Sequence, residues 1–378
     1  MTTRSSQRPS ELGIGMVGGG FMATVHSRAA RVAGARLVGL VSSSAERANS
    51  AAHELGYERG YGSVDELLAD GAIDVVHVCT PNTTHAHIVR SALAAGKHVI
   101  CEKPLATSAG EAAELVRLAD DAGVTATVPF VYRFHPMARE ARARVSSGAT
   151  GTLLSVQGTY LQDWLVRPDD DDWRVNSDLG GPSRAFADIG SHLVDLVEFV
   201  TSERIGRLNA VKRTVFSERS TNRDIATEDA VAVVFETVTG GIGTLLISQV
   251  APGRKNHLVI EFAGEAESVR FDQEHPDELW LGRRVGSQLL ARDAVDLSPD
   301  AARLSVLPAG HPLGYQDAFN AFIADSYNAI GGNVADGLPT FADGLRAVRI
   351  TDAVLASAAS GDWVEVPSVG TPAEAVSR

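Results

Sequence analysis

Cysteine is almost missing: Cys79 and Cys101 are the whole supply in 378 residues. Both sit in apolar, strand-like stretches, and two buried thiols suit a reducing compartment better than a disulfide framework. Clustered metal ligands are also lacking. His85 and His87 are two positions apart, which turns them to different sides of a helix, and no second group of Cys, His or carboxylate has ligand spacing, so no metal is expected. No apolar run reaches the ~18–20 residues of a membrane span. The opening MTTRSSQRPSEL is polar and lacks the apolar core of a secretion signal, so a cytoplasmic protein with a short frayed start is expected. Positive charge is in deficit, with 34 Lys and Arg against 47 Asp and Glu, a formal net charge of −13. Such a surface repels nucleic acid and anionic membranes and favours a small-molecule ligand, although a local basic pocket for a phosphate stays open. Internal repeats and long linkers are absent, and the acidic run Asp169–Asp172 is too short for a low-complexity tail.

What is present is 44% apolar residues and a length that suits two domains better than one core. From Leu12 to Val128, short Val- and Ile-rich runs (Ile14–Val17, Leu37–Val41, Val75–Cys79, His98–Cys101, Thr125–Val128) alternate with segments of helical spacing, such as Glu111, Ala112, Leu115, Val116, Leu118 and Ala119. That alternation predicts a parallel α/β sheet with right-handed crossovers over residues 1–128. After Pro129 the texture changes to closely spaced alternating runs (Leu153–Leu161, Leu208–Phe216, Ala230–Val238, Ile242–Val250, Leu258–Ala263, Ser268–Phe271) with hairpin signals at Thr239-Gly240-Gly241 and Gly264-Glu265. Residues 129–378 are therefore predicted to form an α+β domain on a large, mostly antiparallel sheet. Its expected helices are Ala187–Val200, Tyr315–Ile330 and a last one over about 341–358, which packs back on the first domain in one version of this layout.

Gly18-Gly19-Gly20-Phe21-Met22-Ala23 follows the first strand and opens the first helix. Gly18, Gly20 and Ala23 fit the G-x-G-x-x-G/A fingerprint of dinucleotide binding: a tight turn, a close backbone approach to pyrophosphate, and close helix–strand packing. Gly18, Gly20, Phe21 and Met22 are the candidate phosphate contacts at the helix N-terminus. The acidic residue that usually holds the ribose is replaced by Ser42 at the end of the next strand, followed by Ser43 and, a turn on, Arg47. A hydroxyl with a guanidinium suits a 2′-phosphate, a slight lean to NADP; with Arg47 solvated and Glu46 or water serving the ribose, NAD stays open.

Thr80-Pro81-Asn82 and Glu102-Lys103-Pro104 each follow a strand, at the sheet edge where ligands of α/β folds lie. Asp188 and His192 are four residues apart, so a helix places them on one face. Asp163, Trp164, Trp173, Arg174 and Arg184 precede that helix, and indole faces with charged groups are suited to sugar C–H surfaces and hydroxyls.

In order, the glycine turn, Thr80-Pro81-Asn82-Thr83-Thr84-His85, Glu102-Lys103-Pro104, Tyr132-Arg133-Phe134-His135-Pro136 and Asp188-Ile189-Gly190-Ser191-His192 resemble the glucose–fructose oxidoreductase / inositol dehydrogenase / rhizopine catabolism (Gfo/Idh/MocA) oxidoreductases. The resemblance spans nearly the whole chain. It implies that Thr80, Pro81, Asn82, His85, Glu102 and Lys103 line the cofactor. It implies further that Lys103 faces the substrate hydroxyl, that His192 removes its proton, and that Asp188 helps hold the substrate; Tyr132, in the matched stretch, is a further candidate substrate contact. The implied activity is NAD(P)-dependent oxidation or reduction of a ring secondary alcohol in a sugar, glycoside or cyclic polyol such as inositol. It also implies a homodimer or homotetramer, because the second-domain sheet commonly buries a face in subunit contacts. Two other readings stay open: an NAD-dependent glycoside hydrolase with transient oxidation, and a non-catalytic cofactor-binding sensor.

Overall fold

The computed structural model describes residues 11–368, so the expected frayed start lies outside the described residues. The chain divides into two compact units. One holds residues 11–129 with Gln316–Leu345; the other holds Phe130–Tyr315 with residues 346–368. A single cut after residue 128 therefore misses the helix Tyr315–Ile330, nearly all of which joins the first unit. The last helix, Phe341–Ser360, starts in the first unit and continues in the second.

The first unit is built on six strands: β1 (Gly13–Val17), β2 (Arg36–Val41), β3 (Arg59–Tyr61), β4 (Val75–Val78), β5 (His98–Cys101) and β6 (Ala126–Thr127). They run parallel in the order β3-β2-β1-β4-β5-β6. β1 and β4 are buried at every position, as strands covered on both faces must be. Their Val and Ile content is thus a record of burial rather than of alternation. β3 is a short edge strand of Arg, Gly and Tyr, which carries no apolar run and went unpredicted. The helices after β2, β3 and β5 start at Ser44, Ser63 and Ser108, whose hydroxyls accept a backbone N–H of the first turn. The helix Phe21–Val32 starts instead at Gly20, with no side-chain cap.

The second unit carries nine strands: β7 (Leu153–Leu161), β8 (Ile205–Arg213), β9 (Ala230–Thr237), β10 (Ile242–Ser248), β11 (His257–Gly264), β12 (Ser268–Asp272), β13 (Glu278–Arg283), β14 (Gly286–Ala291) and β15 (Val364–Glu365). Their order is β14-β13-β12-β11-β7-β10-β9-β8-β15, antiparallel except for the β7–β10 pair. Alternation sends Val156, Tyr160, Val231, Val233, Phe235, Leu245, Ile247, Ile260 and Phe262 into one core with Leu193, Leu196 and Val200 of the helix Ser191–Thr201. The opposite face keeps Val211, Val234, Ile242 and Leu246 exposed, at 65, 47, 58 and 43%. Buried ion pairs pin the helices: Arg133 grips both carboxylate oxygens of Asp195, and Arg346 grips Glu198. No helix of the described residues is long and apolar enough to cross a membrane.

Candidate active site

The candidate residues fall in two sets, one on each unit. The first lies at the carboxyl ends of β1, β4 and β5. Gly18 has φ +115°, and a Cβ there would come within 2.3 Å of the Cys79 carbonyl oxygen, so only glycine makes this turn. Gly20 differs. A Cβ on it would meet no protein atom within 4 Å, so the fold itself does not require glycine there. The uncapped N–H groups of the helix Phe21–Val32 begin at this position, with Phe21 74% exposed and Met22 half-buried beside them. Ala23 is fully buried. Ser42 lies against Gly19, its Oγ 3.2 Å from where a Gly19 Cβ would stand, and Arg47 donates to the Ser43 hydroxyl at 3.2 Å from an exposed position.

His85 ties two of the predicted turns together. Its Nδ1 is 2.8 Å from the Pro104 carbonyl and its Nε2 is 2.9 Å from the Thr80 carbonyl. The ring is completely buried, and burial pushes its pKa below the usual histidine value. His85 therefore holds the backbone that shapes the site and offers no free edge to a ligand. Thr80 and Pro81 are half-buried and Asn82 is buried in the turn after β4. Glu102 is buried, and its Oε2 accepts the backbone N–H of Lys103 at 3.2 Å. Lys103 itself is half-buried, followed by a cis peptide bond to Pro104.

The second set is gathered around Asp188 and His192. Asp188 is not in an ordinary α-turn: Phe186–Gly190 is π-helical, and the α-helix Ser191–Thr201 follows directly. Such a widened turn re-aims side chains and recurs at functional sites. The start of this helix is held by Glu228, whose Oε1 accepts the Ser183 hydroxyl at 2.7 Å and the N–H groups of Arg184 and Phe186 at 3.0 Å. Asp188 accepts from Gln249 Nε2 at 2.8 Å through Oδ2, and its Oδ1 lies 3.4 Å from Arg174 Nε. Arg174 also stacks on Trp173, 4.4 Å from the ring centre. The structure thus brings Trp173, Arg174 and Asp188 together. His192 is 7% exposed and meets the rings of Phe130 and Tyr132 edge to face at 5.8 and 5.1 Å. The Tyr132 hydroxyl shares a hydrogen bond with the Tyr160 hydroxyl at 2.6 Å and accepts from Asn256 Nδ2 at 3.2 Å.

Three predicted substrate contacts are placed elsewhere. Arg184 is fully buried and its guanidinium is committed to Asp229, which Arg219 also approaches at 2.8 Å; it is part of the scaffold beneath the helix. Asp163 is taken by Lys255 Nζ at 2.7 Å and the Gly253 N–H at 3.1 Å, and that lysine holds its carboxyl below the usual range. Trp164 donates its indole N–H to Gln162 at 2.8 Å and packs on the small cluster of Leu165, Val175 and Ile225. Among the described residues one trio, His257, Asp272 and Glu274, brings metal-type ligand atoms within 4.8 Å of one another, with Arg270 3.5 Å from Asp272; it lies outside both sets.

Two family profiles match the chain: an oxidoreductase family with an NAD-binding Rossmann fold over residues 12–130, and a GFO/IDH/MocA C-terminal domain over residues 138–270. The chain belongs to the Gfo/Idh/MocA oxidoreductase family. Levoglucosan dehydrogenase of Pseudarthrobacter phenanthrenivorans is 32% identical over 95% of this chain and 99% of its own length. A levoglucosan dehydrogenase solved with NADH and L-sorbose superposes with a TM-score of 0.89 at 30% identity, covering 94% of this chain and 99% of the other. An inositol dehydrogenase homologue from Azotobacter vinelandii, complexed with NAD+, superposes with a TM-score of 0.89 at 27% identity, covering 97% and 100%. An NADP(+)-dependent D-xylose 1-dehydrogenase of Haloferax volcanii is 33% identical over 59% of this chain and 64% of its length.

As a Gfo/Idh/MocA member the chain is an oxidoreductase, and its first unit fits the dinucleotide the family binds. The backbone at Gly20 is open to close approach, and the helix that starts there has no side-chain cap, the features a helix N-terminus needs to receive a phosphate. Gln249, Glu228, Tyr160 and Asn256 join the second set although the sequence did not point to them. The one available signal was a polar residue at a buried place, such as Gln249 directly after β10.

Proposed function

We propose that this chain is an NAD(P)-dependent dehydrogenase acting on a ring secondary alcohol of a sugar, glycoside or cyclic polyol. The observation that carries the reading is the Asp188 turn: a carboxylate oriented by Arg174 and Gln249, one helical turn before a histidine walled by aromatic rings. In the proposed reaction His192 accepts the hydroxyl proton and Lys103 stabilises the charge that develops on the oxygen. Asp188 and Arg174 bind ring hydroxyls, and Trp173 and Tyr132 offer apolar faces to the C–H side of the ring. The bound nicotinamide supplies the chemistry of a hydride acceptor. Ser42, with Ser43 and Arg47 beside it, supports the lean to NADP, since neither serine carries the charge that would repel a 2′-phosphate. The exposed apolar face of the second sheet, centred on Val234 and Leu246, supports a homodimer or homotetramer. A cytoplasmic location completes the proposal.

The test is a panel of inositols, aldoses, anhydrosugars and glycosides, each run with NAD and with NADP. Growth of the NAD(P)H absorbance band with at least one substrate, abolished in Lys103→Ala and His192→Asn, is the expected result. Release of an aglycone with no net absorbance change assigns the chain to glycoside cleavage instead. Dinucleotide binding without turnover of any compound makes it a sensor.

A further inference from the structure

The middle of the first unit contains a buried line of polar side chains that the reaction above leaves unused. His77 occupies an inner position of β4, in the run Val-Val-His-Val where every other residue is apolar and buried. Its Nδ1 is 2.8 Å from Nδ1 of His26, on the first helix. His26 Nε2 is 3.1 Å from Glu102 Oε1, and His77 Nε2 is 2.9 Å from the hydroxyl of Tyr327. His26, His77 and Tyr327 are each 0% exposed, and Glu102 is 6% exposed. The edge of the Phe319 ring closes on His26 at 4.7 Å between centres.

Burying two imidazoles and a phenol is costly unless each is hydrogen-bonded, so the contacts have a direction. A carboxylate only accepts, which puts the His26 proton on Nε2. With His26 uncharged, its Nδ1 accepts and the proton between the rings sits on His77 Nδ1. His77 Nε2 is left to accept from Tyr327. Every donor finds an acceptor with both rings uncharged, and burial with His26 alongside keeps His77 well below the usual histidine pKa. The line ends on Glu102, whose other oxygen takes the Lys103 N–H.

We propose that His26 and His77, anchored by Tyr327, are positioning residues that orient the Glu102 carboxylate and, through it, the backbone of Lys103. The catalytic half of this inference rests on the dehydrogenase reading; the structural half does not. Locally flexible Glu102 would let Lys103 wander, and a misplacement of about 1 Å at a catalytic group can cost on the order of 100-fold in rate.

The experiment compares His26→Leu, which removes the donor to Glu102, with His26→Gln, whose amide restores a donor near the same place. Folding of each is checked by thermal unfolding. Amide hydrogen exchange at Lys103 is then measured by NMR on the whole protein, together with kcat, KM and dinucleotide Kd. The expected result is at least tenfold faster exchange at Lys103 in His26→Leu, a matching fall in kcat with KM and Kd little changed, and recovery of both in His26→Gln. Nitrogen-15 shifts of the wild type should place the protons on His26 Nε2 and His77 Nδ1. Unchanged Lys103 exchange in a folded His26→Leu overturns the proposal, as does equal loss in both variants or a faster exchange that leaves kcat intact. If the wild type oxidises nothing in the panel while exchange responds as expected, the dehydrogenase reading fails and the positioning of Lys103 stands.

Discussion

Burial holds His135 uncharged in the folded chain, pushing its pKa down to about 4, and it also lowers those of His77 and His85. In the unfolded chain such groups titrate near 6.5. Above that pH neither state takes up the proton and stability is complete. As pH falls from 6.5 toward 4 the unfolded state binds protons that the folded state refuses, so stability drains away. For His135 alone the loss reaches about 3 kcal/mol by pH 4. Urea midpoints measured from pH 7.5 to 4.5 should decline, and His135→Phe, stacked beside Tyr132 and Phe271, should decline less steeply. Two other substitutions separate scaffold from site. Arg184→Ala strips Asp229 of a fully buried partner and should cost about 3–5 kcal/mol of stability. KM should not change in the molecules that remain folded. Asp188→Asn should melt near the wild-type temperature yet lose on the order of 100-fold in kcat. A stable Arg184→Ala with a raised KM would return that arginine to the list of substrate contacts.

At the scale of elements, the glycine turn has two glycines with different reasons. Gly18→Ala meets the Cys79 carbonyl and a disallowed φ, so it should lower the melting temperature and cofactor affinity together. Gly20→Ala has extended backbone, φ −90° and ψ −162°, and open space, so it should fold almost normally while dinucleotide Kd rises at least tenfold. Calorimetry alongside a binding titration checks both; equal binding by Gly20→Ala would mean the phosphates do not approach there. The proposed lean to NADP is tested at the strand end after β2. Ser42→Asp should move the NADP/NAD ratio of kcat/KM toward NAD by about tenfold or more, because a carboxylate repels the 2′-phosphate and accepts from ribose hydroxyls. The turn and Ser42 are readable from sequence because each is marked by a few neighbouring residues in a strand–turn–helix order; the Cys79 carbonyl that Gly18 must clear is not, being distant along the chain. The π turn at Phe186–Gly190 was not readable: a 3.6-residue period predicted a plain helix from Ala187.

For the whole molecule, the open face of the nine-stranded sheet is where a second copy is expected. Leu246→Lys paired with Val234→Glu should reduce the mass seen by light scattering to that of one chain, with the fold intact by circular dichroism; an unchanged mass would remove this face from consideration. The family, the two fold classes and the order of the motifs were legible in the chain alone, since glycine conformations, strand-end prolines and hydrophobic periods are local properties. Strands β3, β13 and β14 were not, lacking a long apolar run. Nor was the assignment of charges. Arg184 and Asp163 read as sugar contacts until Asp229 and Lys255, 45 and 92 residues away in sequence, claimed them. The line from Tyr327 to His77 spans 250 positions, and that from His77 to His26 spans 51. Sequence by itself determined the family and its dinucleotide turn, and it named Lys103, Asp188 and His192 as candidates. Only tertiary structure decided which polar groups are buried as one another's partners, because a hydrogen bond or ion pair is satisfied by whatever the fold brings within about 3 Å, regardless of distance along the chain.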